Sequence, residues 1–165
     1  MVHHLLIVDD EESVLSVLGD LFSSRGYKIT LATSAKQALG ALQDTKVNLI
    51  MADYQMPDTD GVEFLRQAQV ICPDAVRILL TAHGTLQVAM AAINDANVYK
   101  FVAKPWHNRD LLLTVQRALE HHDLIVQQRI VADTLELMLE ENILEIERLR
   151  QALKEMADKI RPLVS

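Results

Sequence analysis

Glycine and proline are unevenly distributed along this chain, and their distribution limits what each part can fold into. All five glycines and three of the four prolines lie before residue 106, and the remaining proline is Pro162. Neither residue type occurs from Trp106 to Arg161, so nothing in that stretch breaks a helix. We therefore predict a first part divided into short elements, followed by one long helix.

Short apolar runs alternate with helical periodicity in the first part. Apolar runs of this length between turn signals are typical of buried strands. The predicted strands are residues 5–8, 27–31, 47–52, 75–80 and 98–102. The predicted helices are residues 11–24, 34–43 (with Ser34 as N-cap), 61–71 and 85–94, and a fifth begins near Asn108. This alternation predicts an α/β fold, a doubly wound five-stranded parallel sheet with helices on both faces.

Polar side chains follow four of the predicted strands at their carboxyl ends. The first strand leads into Asp9, Asp10 and Glu11; the others lead into Asp53, Thr81 and Lys104. Doubly wound sheets place their active sites beyond these strand ends, so we expect these groups to share one crevice. Crowded carboxylates repel one another, and a divalent cation with oxygen ligands relieves the repulsion. The pattern predicts a Mg²⁺ site.

The same residues are suited to phosphoryl transfer. Asp53 stands alone at its strand end, so we predict it as the nucleophile that forms an aspartyl phosphate. Asp9 and Asp10 are the predicted metal pair, while Lys104 and Thr81 offer a cation and a hydroxyl to a tetrahedral oxyanion. Taken singly, each residue could be a helix cap or a turn residue. Their conjunction at four strand ends favours a functional site.

Together these motifs resemble the receiver domains of two-component response regulators. The resemblance covers residues 3–120 and rests on Val8-Asp9-Asp10-Glu11, Asp53-Tyr54-Gln55-Met56-Pro57 with Asp60-Gly61, Leu80-Thr81-Ala82, and Phe101-Val102-Ala103-Lys104-Pro105. It implies a flavodoxin-like sheet of strand order 2-1-3-4-5.

The resemblance also implies the site residues. Asp53 would accept a phosphoryl group from a sensor histidine kinase, a phosphotransfer protein or a small phosphodonor. Mg²⁺ would be held by Asp10, Asp53 and the backbone carbonyl of Gln55, with Asp9 acting mainly through bound water. Lys104 would pair with the phosphoryl oxygens.

Further residues match the family's switching elements. Thr81 would move to hydrogen-bond the phosphoryl group, and Phe101 would turn inward in response. The family often has a cis bond at the position of Lys104-Pro105. Gln55 and His83 match variable positions that flank the phosphoryl group. The other histidines show no metal-ligand spacing in the sequence.

A heptad repeat occupies the long helix. Its a positions are Ile125, Ala132, Leu139, Ile146, Leu153 and Ile160. Its d positions are Gln128, Leu135, Asn142, Leu149, Met156 and Leu163. This seam is typical of a coiled coil, so we predict a receiver domain over residues 1–120, a coil over residues 121–165, and a homodimer through residues 121–163. Two alternatives stay open, a helix that lies on the domain and a helix that binds another protein.

Charge and composition limit the kinds of partner that this chain is expected to bind. The net charge is -7, and acidic residues outnumber basic ones in the coil, so we expect no direct DNA binding and no attraction to an anionic membrane. No apolar run is long enough to span a membrane. The single cysteine, Cys72, indicates a reducing compartment, and we expect the protein in the cytoplasm.

These features favour a phosphorylation switch, not an enzyme. The switch would signal through its helix 4–strand 5–helix 5 face and the coil, to a partner or to an output domain that this sequence does not include. A constitutive coiled-coil scaffold is the alternative. A Mg²⁺-dependent aspartyl-phosphate phosphatase is disfavoured, because it needs an acid two residues after the nucleophile and Gln55 stands there.

Overall fold

The computed structural model describes residues 2–82 and 86–164. The chain divides into two compact units, Met1–Ile125 and Val126–Ser165. The strands of the first unit are β1 (His4–Val8), β2 (Lys28–Ala32), β3 (Leu49–Asp53), β4 (Val76–Thr81) and β5 (Lys100–Ala103). The helices are α1 (Glu12–Ser23), α2 (Ala35–Asp44), α3 (Gly61–Ile71), α4 (Leu86–Ala96) and α5 (Asn108–Val164), the last of which continues into the second unit.

The strands form one parallel sheet in the order β2-β1-β3-β4-β5. This order and the alternation of strands with helices confirm the predicted doubly wound fold. Successive residues of a strand point to opposite faces, and β1 follows this rule. Leu6 and Val8 pack into a core with α2, α3 and α4, whereas Leu5 and Ile7 pack into a second core with α1 and α5.

The predicted boundaries of β2 to β5 were early by one or two residues, whereas β1 begins one residue before its predicted start. Val47 and Val98 are buried, yet they precede the first paired residues of β3 and β5, which are Leu49 and Lys100. An apolar run indicates which residues are buried, and the buried residues continue beyond the strand into the loop that covers the core. Only the backbone pairing between strands shows where each strand begins.

Side-chain hydrogen bonds cap the N-termini of α2 and α3. The Ser34 hydroxyl accepts from the backbone N–H of Gln37 at 3.1 Å, which confirms the predicted N-cap of α2. The Gln37 side chain in turn accepts from the backbone N–H of Thr33 at 2.8 Å. At α3 the Asp60 carboxylate accepts from the backbone N–H of Glu63 at 2.8 Å. These caps satisfy backbone N–H groups that have no partner within the first turns of α2 and α3.

The second unit is helical through Val164. The helix therefore includes Pro162, which is tolerated because a proline in the last turn affects few hydrogen bonds. Every described residue from 127 to 164 is exposed in the single chain, including the large apolar side chains of the seam. Among the described residues, none of the helices has the combination of length and apolar character needed to cross a membrane.

Candidate functional site

Three carboxylates meet beyond the carboxyl ends of β1 and β3. Oxygens of Asp9, Asp10 and Asp53 lie within 4.8 Å of one another. Asp9 is 0% exposed and Asp53 is 6% exposed, whereas Asp10 is exposed. Val8 and Ala52 are register partners in the parallel pair of β1 and β3, which brings the two strand ends side by side. The predicted gathering of these acids is therefore present in the fold.

Lys104 connects two of these carboxylates. Its Nζ lies 2.8 Å from Asp9 Oδ2 and 3.0 Å from Asp53 Oδ1. The backbone N–H of Lys104 donates to the Thr81 carbonyl oxygen at 2.9 Å, which ties the end of β5 to the end of β4. The Lys104–Pro105 peptide bond is cis. In this structure the lysine is thus an internal counter-ion for the acids.

The electrostatics of the site reflect burial and crowding. Burial raises the pKa of Asp53 above the usual carboxyl range; Lys104 opposes the rise, and the charges of Asp9 and Asp10 add to it. Burial alone would lower the pKa of Lys104, but hydrogen bonds to Asp9 and Asp53 outweigh it and raise that pKa. The lysine therefore stays charged, while the ionised form of Asp53 is less favourable than that of an ordinary carboxyl group.

This donor set fits Mg²⁺. Three ionised carboxylates against one lysine would leave two uncompensated negative charges in a partly buried cluster. The donors are all oxygen, and one of the acids, Asp10, is open to solvent. A small hard cation that keeps several waters suits such an open oxygen site. Gln55 lies two residues after Asp53, and its side chain is exposed. That its backbone carbonyl binds the metal stays a prediction.

The predicted switch residues lie on neighbouring strands. Thr81 is the last residue of β4, is 2% exposed, and has Ala103 of β5 as its register partner. Phe101 is half-buried and packs against the core shared with α2, α3 and α4. Their roles in switching stay predictions. His83, predicted to flank the phosphoryl group, lies outside the described residues.

Gly61 is a site residue whose role the sequence did not reveal. Its backbone N–H donates to the Tyr54 carbonyl oxygen at 2.8 Å, which closes the loop after Asp53. A Cβ at this position would overlap the backbone oxygen of Asp53 and would lie 2.8 Å from a methyl carbon of Leu79. Glycine is therefore required so that α3 can begin directly against the backbone of Asp53.

We expect Gly61→Ala to lower the free energy of unfolding by about 2–3 kcal/mol, because the added methyl group must displace backbone or core atoms. The measurement is urea unfolding followed by circular dichroism. Gly40→Ala is the matched control, since a Cβ there meets nothing within 4 Å and alanine favours the α2 helix. The control should raise stability by roughly 0.5–1 kcal/mol. Equal effects of both substitutions would contradict the steric argument.

Asp58 links the loop after β3 to the beginning of α2 through hydrogen bonds. Its carboxylate accepts from the backbone N–H of Lys36 at 3.0 Å and of Ala35 at 3.4 Å, at the beginning of α2. Burial tends to raise the pKa of Asp58, but these backbone hydrogen bonds lower it overall. No local pattern signals this contact, because its partners are more than 20 residues apart along the chain.

A second group of possible metal ligands was not foreseen from the sequence. His3, His122 and Asp123 offer ligand atoms within 4.8 Å of one another. Asp123 accepts from His3 Nε2 and from His122 Nδ1, each at 3.0 Å. Asn48 Nδ2 lies 3.5 Å from His122 Nε2, which favours the His122 tautomer with its proton on Nδ1. These groups satisfy one another, and they tie the residue before β1 to α5.

We expect Asp53→Asn to stabilise the metal-free protein at neutral pH. The folded-state pKa of Asp53 lies above its unfolded value, so stability from this group is full below the unfolded pKa and is lost as the pH rises through the folded pKa. Removing the charge should raise Tm at pH 7 in EDTA by roughly 2–4 °C, after allowance for solvent screening.

The pH dependence separates this cause from a general effect of the substitution. The gain in Tm should disappear as the pH falls below about 4, where an ordinary carboxyl group is protonated in both states. Asp44→Asn makes the same chemical change at an exposed carboxylate, and it should leave Tm nearly unchanged at every pH. A stabilisation by Asp53→Asn that persists at low pH would contradict the electrostatic origin.

Comparisons with known proteins agree with this fold. The chain matches the response regulator receiver domain family over residues 5–116. The transcriptional regulatory protein GlrR of Escherichia coli K12 is 36% identical over 117 residues, which are 71% of this chain and 26% of GlrR. The C4-dicarboxylate transport transcriptional regulatory protein DctD of Rhizobium meliloti is 30% identical over 159 residues, which are 93% of this chain and 34% of DctD.

A solved structure of similar shape is the beryllofluoride-activated NtrC4 receiver domain dimer. It is 34% identical, with a TM-score of 0.68, and the match covers 72% of this chain and 98% of that chain. The chain thus matches nearly the whole of a receiver structure. In contrast, it spans only about a quarter to a third of the length of the two curated relatives.

Proposed function

The chain belongs to the response regulator receiver family, and from that premise we propose that Asp53 accepts a phosphoryl group in a Mg²⁺-dependent reaction. The observation that carries this proposal is the contact of Lys104 Nζ with both Asp9 and Asp53 inside a cluster of three carboxylates. The phosphoryl group would come from a sensor histidine kinase, a phosphotransfer protein or a small phosphodonor. The phosphorylated chain would then signal through the face formed by α4, β5 and α5.

The reaction needs one nucleophile and one leaving group. A carboxylate oxygen of Asp53 forms the new bond to phosphorus as the bond from phosphorus to the donor's leaving atom breaks, and the leaving group departs with that electron pair. Lys104 already contacts Asp53 Oδ1 at 3.0 Å, so its ammonium group is positioned to pair with an incoming phosphoryl oxygen. The Thr81 hydroxyl is the proposed additional donor to the phosphoryl group.

Asp9, Asp10, Asp53 and the backbone carbonyl of Gln55 would hold the metal, with Asp9 acting mainly through water. When bound, Mg²⁺ would neutralise charge on the transferring group and hold it in line with the attacking oxygen. Asp10 is the exposed member of the cluster, so it gives the cation a route in from solvent. The raised pKa of Asp53 supports this assignment, because burial, with the charges of Asp9 and Asp10 adding to it, outweighs the effect of Lys104.

Phosphorylation would shift an equilibrium between two arrangements of the β4–β5 edge. Thr81 would turn toward the phosphoryl group, and Phe101 would move further into the core that it already contacts. Phe101 has no hydroxyl, so its effect would come from packing. Because β5 leads directly into α5, this change would reach the helix that carries the seam.

We further propose a receiver over residues 1–120 and a homodimeric coil through residues 121–163. The seam supports the coil because its large apolar side chains are half or more exposed in the single chain, among them Leu139, Ile146 and Leu153. The match to DctD continues over most of this helix. The NtrC4 receiver dimer shows that a related domain assembles in pairs.

The test is the molar mass by light scattering, with and without beryllofluoride plus Mg²⁺, for the wild type and Asp53→Asn. A dimer that forms only with the analogue and only with Asp53 intact would mean that phosphorylation controls assembly. A dimer under all conditions would mean a constitutive coil, within which the signal must travel as a rearrangement. A monomer under all conditions would contradict the proposed homodimer.

A further inference from the structure

A second set of apolar side chains occurs on the helix of the second unit. Ile130, Leu137 and Leu144 recur every seven residues, and we name them the outer row. Their exposed fractions are 59%, 62% and 57%. Fourteen residue steps separate Ile130 from Leu144, which is about 21 Å of helix at 1.5 Å per residue. Single exposed apolar residues are ordinary, but a row at heptad spacing forms a continuous stripe.

The outer row lies on the face of the helix opposite to the seam. Consecutive helical residues are about 100° apart, so a residue two positions away points about 160° away. Leu137 stands two positions from both Leu135 and Leu139, which are seam residues. Leu144 stands in the same relation to Asn142 and Ile146. One partner helix cannot cover both the seam and the outer row.

A coil formed through the seam would therefore leave the outer row in solvent. This step rests on the proposed homodimer, because pairing through the a and d positions makes the outer row the f position of the heptad. In a two-stranded coil the f positions usually carry polar or charged residues. Three large apolar residues at f positions would stay exposed to solvent unless another surface covered them.

Acidic residues border the outer row at regular intervals. Each of its members is followed three positions later by an acid, and residues three apart are neighbours on a helix surface. The bordering acids are Asp133, Glu140, Glu141 and Glu147. One basic residue, Arg148, also borders the row, and it lies 3.8 Å from Glu145 in an ion pair. The stripe is therefore apolar in the middle and negative along the edge formed by Asp133, Glu140 and Glu147, whereas Glu141 and Arg148 balance each other at the other edge.

This charge decides what can cover the stripe. A second copy of the outer row would bring the same acids against one another, and an anionic membrane would be repelled as well. We propose that the outer row is a docking site for an amphipathic helix of a partner protein, whose apolar stripe is bordered by Lys or Arg. Apolar contact along the row and ion pairs along its acidic edge would hold the two helices together.

The probe is a fluorescent peptide of four to five helical turns, with a leucine stripe bordered by lysines, titrated with the full chain and followed by anisotropy. A matched peptide carries glutamates in place of the lysines. The variant replaces Ile130, Leu137 and Leu144 by Gln, and the conservative control replaces all three by Met. Light scattering on each variant reports its molar mass.

The wild type and the Met variant should bind the lysine peptide, and the Gln variant should bind it at least about tenfold more weakly at unchanged molar mass. The glutamate peptide should not bind, and added salt should weaken the lysine peptide's binding. Equal binding by the wild type and the Gln variant would overturn the inference. A molar mass that falls only in the Gln variant would instead assign the row to a second copy. Failure of the homodimer itself is seen separately, as a monomeric wild type.

Discussion

Asp53→Asn should reduce phosphoryl incorporation from acetyl phosphate and Mg²⁺ by roughly 10³-fold or more, since it removes the nucleophile of a covalent reaction. The amide keeps the size and shape of the carboxylate, so the fold is preserved; in EDTA the variant should be more stable than the wild type, as argued above. The measurement is the intact mass of the protein after incubation with the donor. Loss of phosphorylation in a more stable protein would exclude unfolding as the cause.

Two further variants test whether the effect is specific to the cluster around Asp53. Lys104→Met removes the cation that contacts Asp9 and Asp53 but keeps the nucleophile, and it should slow incorporation by about 10²-fold. Asp44→Asn changes an exposed carboxylate outside the cluster and should have no effect. Phosphoryl incorporation that survives in Asp53→Asn would show that another residue is the acceptor. An unchanged rate in Lys104→Met would remove the lysine from the proposed chemistry.

Replacing Leu139 and Ile146 by Lys should convert the proposed homodimer into monomers. Both are a positions of the seam, and both are half or more exposed in the single chain. Burying each aliphatic side chain contributes about 1.5–3 kcal/mol, and a dimer contains four of them. Their loss should raise the dissociation constant by roughly 10⁴-fold or more. Sedimentation velocity over a range of concentrations measures the shift.

The control for this experiment makes the same change of charge outside the seam. Gln127 and Gln151 are exposed and lie at the c and f positions, so Gln127→Lys with Gln151→Lys should leave the dimer intact. Circular dichroism would verify that both variants remain helical. Dissociation by the control pair as well would mean that net charge sets the assembly. A dimer that survives the seam substitutions would contradict the heptad assignment.

The two experiments concern units that depend on different physics. The proposed phosphoryl transfer needs a few side chains held within hydrogen-bonding distance, and Asp53 is buried and Lys104 partly buried at the strand ends. The proposed coil depends on a repeated apolar pattern along one face of the helix, and it does not need a cluster of side chains at fixed distances. A chain that fails one test can therefore pass the other, and neither result can be inferred from the other.

Patterns between residues close in the chain determined much of this fold. Apolar runs and helical periodicity predicted five strands and the helices between them, and strand ends predicted that Asp9, Asp10 and Asp53 would lie together. The Ser34 cap was predictable for the same reason, because its partner Gln37 is three residues away. Such features depend on local periodicity and local hydrogen bonds, which any reader of the sequence can evaluate.

Only the tertiary structure decided the contacts between residues remote in the chain. Lys104 and Asp9 are 95 residues apart, and His3 and Asp123 are 120 apart, yet each pair is in contact. The requirement for glycine at position 61 likewise comes from the backbone of Asp53, which packs against it. The physical reason is that these contacts are set by how helices and strands pack in space. Local periodicity specifies each element, but the packing between elements determines which side chains meet.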